Sequence, residues 1–211
     1  MNKFKKELDK HASSISKADE NRMWSKSRHY MIALIITLFV PPNAGSQVLA
    51  TQNPYKVEAA FLRNFAHYVV WPDTAFPDNS SPWHIVILGP DPFGEVLEKT
   101  FQDRIEQGRS FEVHRTDSIE QMPDCQILFV AYKDSRKRQS ALKALRGKPI
   151  LTVSDTPDFL IDGGIIQLEV EHRVRLRINL DQARDASLTI QTKMLEVASE
   201  VLDKGTIHKV K

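Results

Sequence analysis

Few residues of this chain have the types and the spacing that catalysis requires. Residues 89–94 (GPDPFG) join a predicted strand to a predicted helix, a place where backbone amides can cradle a phosphate. The stretch lacks the Gly-x-Gly-x-x-Gly spacing and a Lys-Ser/Thr pair, and its two prolines remove amide donors. A turn in which Asp91 caps the following helix explains this stretch better than a nucleotide site does.

No nucleophile or metal pattern is evident either. Ser154 and Asp155 follow an apolar run, but Gly-x-Ser-x-Gly is absent, so we interpret them as a helix N-cap. The histidines after residue 50 form no His-x-x-His or His-Glu-x-x-His pattern, and a single cysteine, Cys125, cannot build a thiolate zinc site. The sequence therefore predicts a protein that is not an enzyme and has no cofactor and no metal.

Aromatic residues suited to binding surround one loop. Trp71 and Trp83 bracket a proline-rich stretch that contains Phe76, and aromatic side chains on a rigid loop commonly anchor protein interfaces. These three residues are one candidate partner-binding set. In the alternative interpretation, both tryptophans fill the gap between the first helix and the sheet.

A second candidate partner-binding set lies on a predicted strand. Arg173, Arg175 and Arg177 alternate with apolar residues, so one face of the strand is basic and the other faces the core. Such a face is usually only solvated, because isolated surface charges contribute little. Three guanidinium groups in line can also bind a carboxylate, a phosphate or an acidic partner.

The first element that positions these residues is a predicted helix over residues 55–72. Pro54 suits a helix start, and Trp71-Pro72 is a stop signal. One predicted face of this helix is apolar and consists of Val57, Ala60, Phe61, Asn64, Phe65 and Tyr68. Asn64 is the one amide on that face, so we expect either a structural residue with internal hydrogen-bond partners or part of a site.

Strands and helices alternate through the rest of the chain. We expect strands at 84–88, 110–115, 126–131 and 150–153, helices at 93–101, 135–145 and 155–162, a hairpin at 165–180, and a closing helix at 190–202 before a disordered tail. This order predicts a single α/β domain whose largely parallel sheet is flanked by helices, with an antiparallel hairpin at one edge.

Residues 1–50 are predicted to be an export signal. Residues 31–40 are an apolar run of ten, preceded by basic residues and far short of the roughly 20 needed to span a membrane. Val48-Leu49-Ala50 suits cleavage after Ala50; cleavage near Ala44 or Gly45 and a retained anchor are the alternatives. Translation from Met23 would give a conventional leader. The mature domain is then residues 51–211.

Removing this leader changes the charge of the protein. The chain has 29 basic and 27 acidic residues, of which residues 1–50 hold 8 and 4. The remaining 21 basic and 23 acidic residues give a formal charge of −2. A near-neutral domain offers no broad electrostatic attraction for nucleic acid.

Four segments carry a resemblance to a known family. They are residues 55–72 (YKVEAAFLRNFAHYVVWP), 85–94 (IVILGPDPFG), 149–155 (PILTVSD) and 174–180 (VRLRINL). In order and spacing they resemble the YfiR-like family, small bacterial periplasmic proteins that restrain a membrane-bound diguanylate cyclase. The similarity covers nearly all of the chain after its leader.

This resemblance implies a periplasmic regulator that binds the periplasmic sensor region of an inner-membrane diguanylate cyclase, controlling cyclic di-GMP and biofilm formation. It also implies an outer-membrane-associated protein that sequesters the regulator, and a homodimer. Some relatives carry a cysteine in the strand that matches residues 85–88, which could pair with one near Cys125; here Val86 stands in its place, so this chain lacks that bridge. Because free cysteine is commonly buried, we expect Cys125 to be a buried, inert thiol. The alternative function is a periplasmic small-molecule binding protein whose ligand contacts the arginine strand.

Overall fold

Helix α1, Pro54–Tyr68, opens the part of the chain that the computed structural model describes, residues 53–210. The side chain of Asn53 caps the helix by accepting a hydrogen bond of 3.0 Å from the amide of Tyr55. The proline in the first turn loses no intrahelical bond there. The helix ends earlier than expected, because the chain turns extended at Val69.

Eight strands form the main sheet, and their lengths follow the short apolar runs of the sequence. They are β2 (Trp83–Leu88), β3 (Phe111–Thr116), β4 (Ile127–Val130), β5 (Leu151–Ser154), β6 (Ile166–Val170), β7 (Val174–Asn179), β9 (Glu200–Asp203) and β10 (Thr206–Lys209). Two further short strands, β1 (Val69–Val70) and β8 (Thr189–Ile190), pair with each other in antiparallel orientation.

The strand order is β10-β9-β7-β6-β5-β4-β2-β3. Neighbours from β3 to β6 run parallel, β7 is antiparallel to β6 and parallel to β9, and β10 is antiparallel to β9. The predicted α/β class, with a largely parallel sheet and an antiparallel hairpin at one edge, is confirmed.

The other helices are α2 (Val96–Phe101), α3 (Ser135–Ala144), α4 (Leu180–Asp185) and α5 (Thr192–Glu196). Successive residues of a strand point to opposite faces, so β2 and β4 contribute to two cores. Ile85 and Ile87 pack with α1 and α2, whereas Val86 and Leu88 pack with α3. All four residues of β4 are buried, as a strand covered on both faces requires.

The predicted closing helix and disordered tail are wrong. Residues 190–202 divide between β8, α5 and β9, and the chain then turns back as β10. Lys204 and Gly205 have φ values of 50° and 72°, which a tight hairpin turn requires. Short apolar runs fit both helical and strand periods, so the pattern was ambiguous. The edge hairpin is therefore β9–β10, whereas the expected hairpin, β6–β7, lies inside the sheet.

The predicted helix at 155–162 is also wrong, since these residues form turns. Asp158 has a φ of 63°, which an α-helix cannot contain.

The predicted export signal, the start at Met23 and the cleavage site after Ala50 lie outside the described residues. Within residues 53–210, none of the helices combines the length and the apolar character needed to cross a membrane.

Candidate functional site

The aromatic residues of the loop after β1 are mostly core residues. Trp71 and Trp83 are 8% and 1% exposed. Their rings meet edge to face with centroids 5.0 Å apart, and Phe76 packs on Trp83 at 4.9 Å. The indole nitrogen of Trp83 donates to the carbonyl of Glu106 at 3.0 Å. The two tryptophans thus fill the gap beside the sheet, and only Phe76 remains partly accessible.

The loop borders a groove of about 450 Å³, which we call the aromatic groove. It is lined by Val70, Trp71, Pro72, Asp73, Phe76, Pro77, Asp78, Asn79, Trp83, Gln107 and Arg109. Val70 is 50% exposed and is the most accessible large apolar side chain of this lining. The groove is therefore lined by polar as well as apolar groups, and Val70 and Phe76 are accessible apolar side chains within it.

Polar contacts hold the loop in place. The guanidinium carbon of Arg109 lies 4.0 Å from the ring centre of Phe76, and its Nη1 donates to the carbonyls of Asp78 at 2.9 Å and Ser81 at 2.6 Å. Hydrogen bonds from Ser80 and then Ser81 lower the pKa of Asp78 to about 2, so its carboxylate is charged at neutral pH.

A buried glutamine connects this loop to the sheet. The Nε2 of Gln126 donates to the carbonyl of Ala75 at 2.7 Å, and its Oε1 accepts from the amide of His84 at 2.8 Å. Sequence reasoning missed this residue. Its place at the beginning of a buried apolar run was the available indication, because a buried amide must find hydrogen-bond partners.

The arginine strand is β7, and its basic face is largely neutralised. Arg175 Nη1 lies 3.0 Å from Glu169 Oε1 on β6, and Arg177 Nε lies 3.4 Å from Glu200 Oε2 on β9. Both pairs are direct neighbours in the strand register. Arg173 does not lie on the strand as predicted but in the turn before β7, where it is exposed. Three strands separate β7 from β2, so the arginines and the aromatic groove are two separate surfaces.

The buried face of α1 differs from the predicted one. It consists of Glu58, Ala59, Leu62, Phe65 and Ala66. The prediction that Asn64 lies buried on the apolar face is wrong, because the residue is only half-buried. Because the buried residues Ala59 and Ala66 are small, the helix can approach the rest of the core closely.

Glu58 is the buried polar residue of α1 that the sequence analysis missed. It is 3% exposed, and its Oε2 has no hydrogen-bond partner in the described part of the chain. Burial, followed by the charge of Asp155, raises the pKa of Glu58 from 4.5 to about 8, while Lys133 acts in the opposite direction. Lys133 and Asp155 follow β4 and β5 and form an ion pair of 3.0 Å. Glu58 is therefore largely protonated at neutral pH.

The family model described as YfiR/HmsC-like matches residues 55–199, from α1 to the residue before β9. The chain belongs to the YfiR/HmsC-like family. Members of this family are periplasmic regulatory proteins rather than enzymes. Among curated proteins, none matches the chain.

This YfiR/HmsC-like domain has a single, buried cysteine two residues before β4 begins. Burial, followed by the charge of Asp124, raises the pKa of the Cys125 thiol to about 12. The thiolate that oxidation or disulfide exchange needs is therefore scarce at neutral pH. The predicted burial of Cys125 is confirmed, and its inertness stays a prediction.

The fold also brings together three residues that no local pattern connects. His84 lies on β2, and Glu112 and His114 lie on β3, with one potential ligand atom of each within 4.8 Å of the others. The spacing of Glu112 and His114 was the available sequence indication, because alternate residues of a strand lie on the same face and can act together. The pairing with His84 depends on the strand register, which the sequence does not give.

Proposed function

We propose that this protein binds the periplasmic sensor region of an inner-membrane diguanylate cyclase and holds the cyclase inactive. The observation that carries the proposal is the YfiR/HmsC-like match, which spans residues 55–199. The cyclase and an outer-membrane-associated sequestering protein compete for the regulator, so that affinities and local concentrations set the fraction of restrained cyclase. Release from the cyclase raises cyclic di-GMP and favours biofilm. The regulator acts as a homodimer in this proposal.

The aromatic groove is the proposed contact surface for the cyclase. Val70 and Phe76 present apolar area, and Phe76 packs on the buried ring of Trp83, which in turn packs on Trp71. The contacts of Arg109 fix the loop before binding, which reduces the entropy lost on association. Arg173 remains a candidate for a peripheral contact, whereas Arg175 and Arg177 are already paired with glutamates.

Val70→Asp tests this surface. We expect the variant to bind the cyclase at least about tenfold more weakly, because the interface would bury an unpaired carboxylate. The measurement is a pull-down from solubilised inner membrane, with the recovered GGDEF-domain protein identified and quantified by mass spectrometry.

Val197→Asp is the matched control, because Val197 is 68% exposed and does not line the groove. It should recover as much cyclase as the unaltered protein. If Val70→Asp recovers as much cyclase as Val197→Asp, the groove is not the contact surface. If no pull-down recovers a diguanylate cyclase, the proposed regulatory function is wrong.

The alternative is a periplasmic small-molecule binding protein. Two observations favour the aromatic groove over the arginine strand as its site: the groove volume of about 450 Å³ and the indole nitrogen of Trp71, buried without an acceptor in residues 53–210. This alternative requires a low-molecular-weight metabolite to raise the thermal midpoint without any protein partner.

A further inference from the structure

Three side chains on one sheet face converge at the start of strands β2 and β3. In the parallel register, His84 lies opposite Glu112, and Val86 lies opposite His114. Residues 112 and 114 share a face of β3, and residue 84 shares it from the neighbouring strand. This face is the one that carries Val86 and Leu88 toward α3, so the cluster lies at its margin, partly exposed to solvent.

The three potential ligand atoms have the separations of a metal coordination sphere. His84 Nδ1 is 3.0 Å from His114 Nε2, and each of these nitrogens is 3.7 Å from Glu112 Oε2. For a triangle with these sides, the nearest point that is equidistant from all three atoms lies about 2.0 Å from each, which is close to the zinc–nitrogen and zinc–oxygen bond length. Little movement of the side chains is therefore needed to coordinate an ion.

We propose that His84, Glu112 and His114 bind one Zn²⁺ ion, through Nδ1, Oε2 and Nε2 respectively. Two imidazoles and one carboxylate are a ligand set that suits zinc with three protein ligands and a fourth position left for water. The exposed side of the cluster leaves room for that fourth ligand. The site is independent of the proposed regulatory function and holds whether or not the chain binds a cyclase.

The contacts of the cluster can be exchanged for bonds to a metal ion. Both nitrogens can be ligands only when neither carries a proton, so zinc would replace the hydrogen bond that joins them at 3.0 Å. Glu112 supplies the negative charge that compensates part of the charge of the ion.

A bound ion would connect β2 to β3, the strand at the edge of the sheet opposite β10. Because an ion that binds only the folded protein stabilises it, Zn²⁺ should raise the thermal midpoint by several degrees at saturation.

The test is calorimetric titration of metal-free protein, purified from cells expressing the full-length chain, with ZnCl₂ at pH 7.5. We expect one ion per chain. His84→Ala, His114→Ala and Glu112→Gln should each weaken binding by more than about tenfold and abolish the rise in thermal midpoint. Glu112 is exposed, so Glu112→Gln tests the site without a folding defect, as circular dichroism would verify.

His172→Ala is the control, since His172 is exposed in the turn between β6 and β7. It should bind zinc as the unaltered protein does. Absence of saturable zinc binding, or equal affinity in the three cluster variants and the control, would overturn the proposal.

Discussion

Arg138→Ala is expected to lower the free energy of unfolding by about 3–5 kcal/mol, because it leaves a buried carboxylate without its counter-charge. The side chains of Arg138 and Asp162 are 5% and 4% exposed, and Arg138 Nε and Nη2 each lie 2.7 Å from Asp162 Oδ2. The Nη1 of Arg138 also donates to the carbonyls of Lys133 at 2.7 Å and Tyr132 at 3.2 Å. One side chain of α3 therefore holds the loops that follow β4 and β5.

The carboxylate at position 162 stays charged in the folded protein. Its burial alone would raise the pKa, but hydrogen bonds from Gln139, Ser135 and Arg138 together lower the pKa of Asp162. Removing the guanidinium leaves that charge buried with only the two neutral donors.

Urea unfolding at pH 7, followed by circular dichroism, measures the loss. Arg136→Ala is the matched control on the same helix, where the side chain is exposed, and should change stability by less than about 0.5 kcal/mol. The double variant Arg138→Met/Asp162→Leu should recover most of the loss, because it removes both charges. If Arg138→Ala costs no more than Arg136→Ala, the buried pair does not hold these loops.

Glu58→Gln is expected to remove a pH dependence of stability. The pKa of Glu58 is about 8 in the folded protein and 4.5 as its ordinary value, so between these values the folded state binds the proton and the unfolded state has lost it. Stability then falls as pH rises. At about 1.4 kcal/mol per pH unit, this one group should lower the free energy of unfolding by roughly 2–3 kcal/mol between pH 5 and pH 7.

The measurement is urea unfolding at pH 5, 6 and 7 for the unaltered protein and for two variants. Carboxylates whose pKa is lowered act in the opposite direction, but they do so in every variant and cancel in the comparison. Between pH 5 and pH 7, the free energy of unfolding of Glu58→Gln should rise by roughly 2–3 kcal/mol relative to that of the unaltered protein. For Glu171→Gln, at an exposed position, this difference should not change with pH. Parallel pH profiles for all three proteins would contradict the buried, protonated state of Glu58.

Much of the sheet could be predicted from sequence because its strands are short apolar runs bounded by turn residues. β4 was recognisable from four consecutive apolar residues, and β7 from the alternation of arginines with Val174, Leu176 and Ile178. The β9–β10 hairpin was missed, because the apolar residues before it fit a helical period equally well and the Lys204-Gly205 turn was the only local indication of a strand pair.

The sites were harder to predict because they depend on register and close packing. The helical period of α1 was recognisable from sequence, but its buried face was not. Ala59 and Ala66 are small and contribute less to an apolar pattern than Phe61 or Tyr68, which were assigned to the buried face instead. Residues 84 and 114 are 30 positions apart and meet only through the pairing of β2 with β3. The ion pairs of Arg175 and Arg177 likewise require a known strand order.

The most direct test of the regulatory proposal is the cyclic di-GMP concentration in a strain that lacks this gene. Deletion should raise cyclic di-GMP and surface attachment, and restoring the unaltered gene should return both to their original levels. Complementation with Val197→Asp should do the same, whereas Val70→Asp should leave cyclic di-GMP high. An unchanged cyclic di-GMP concentration in the deletion strain would contradict the proposal that this protein restrains a diguanylate cyclase.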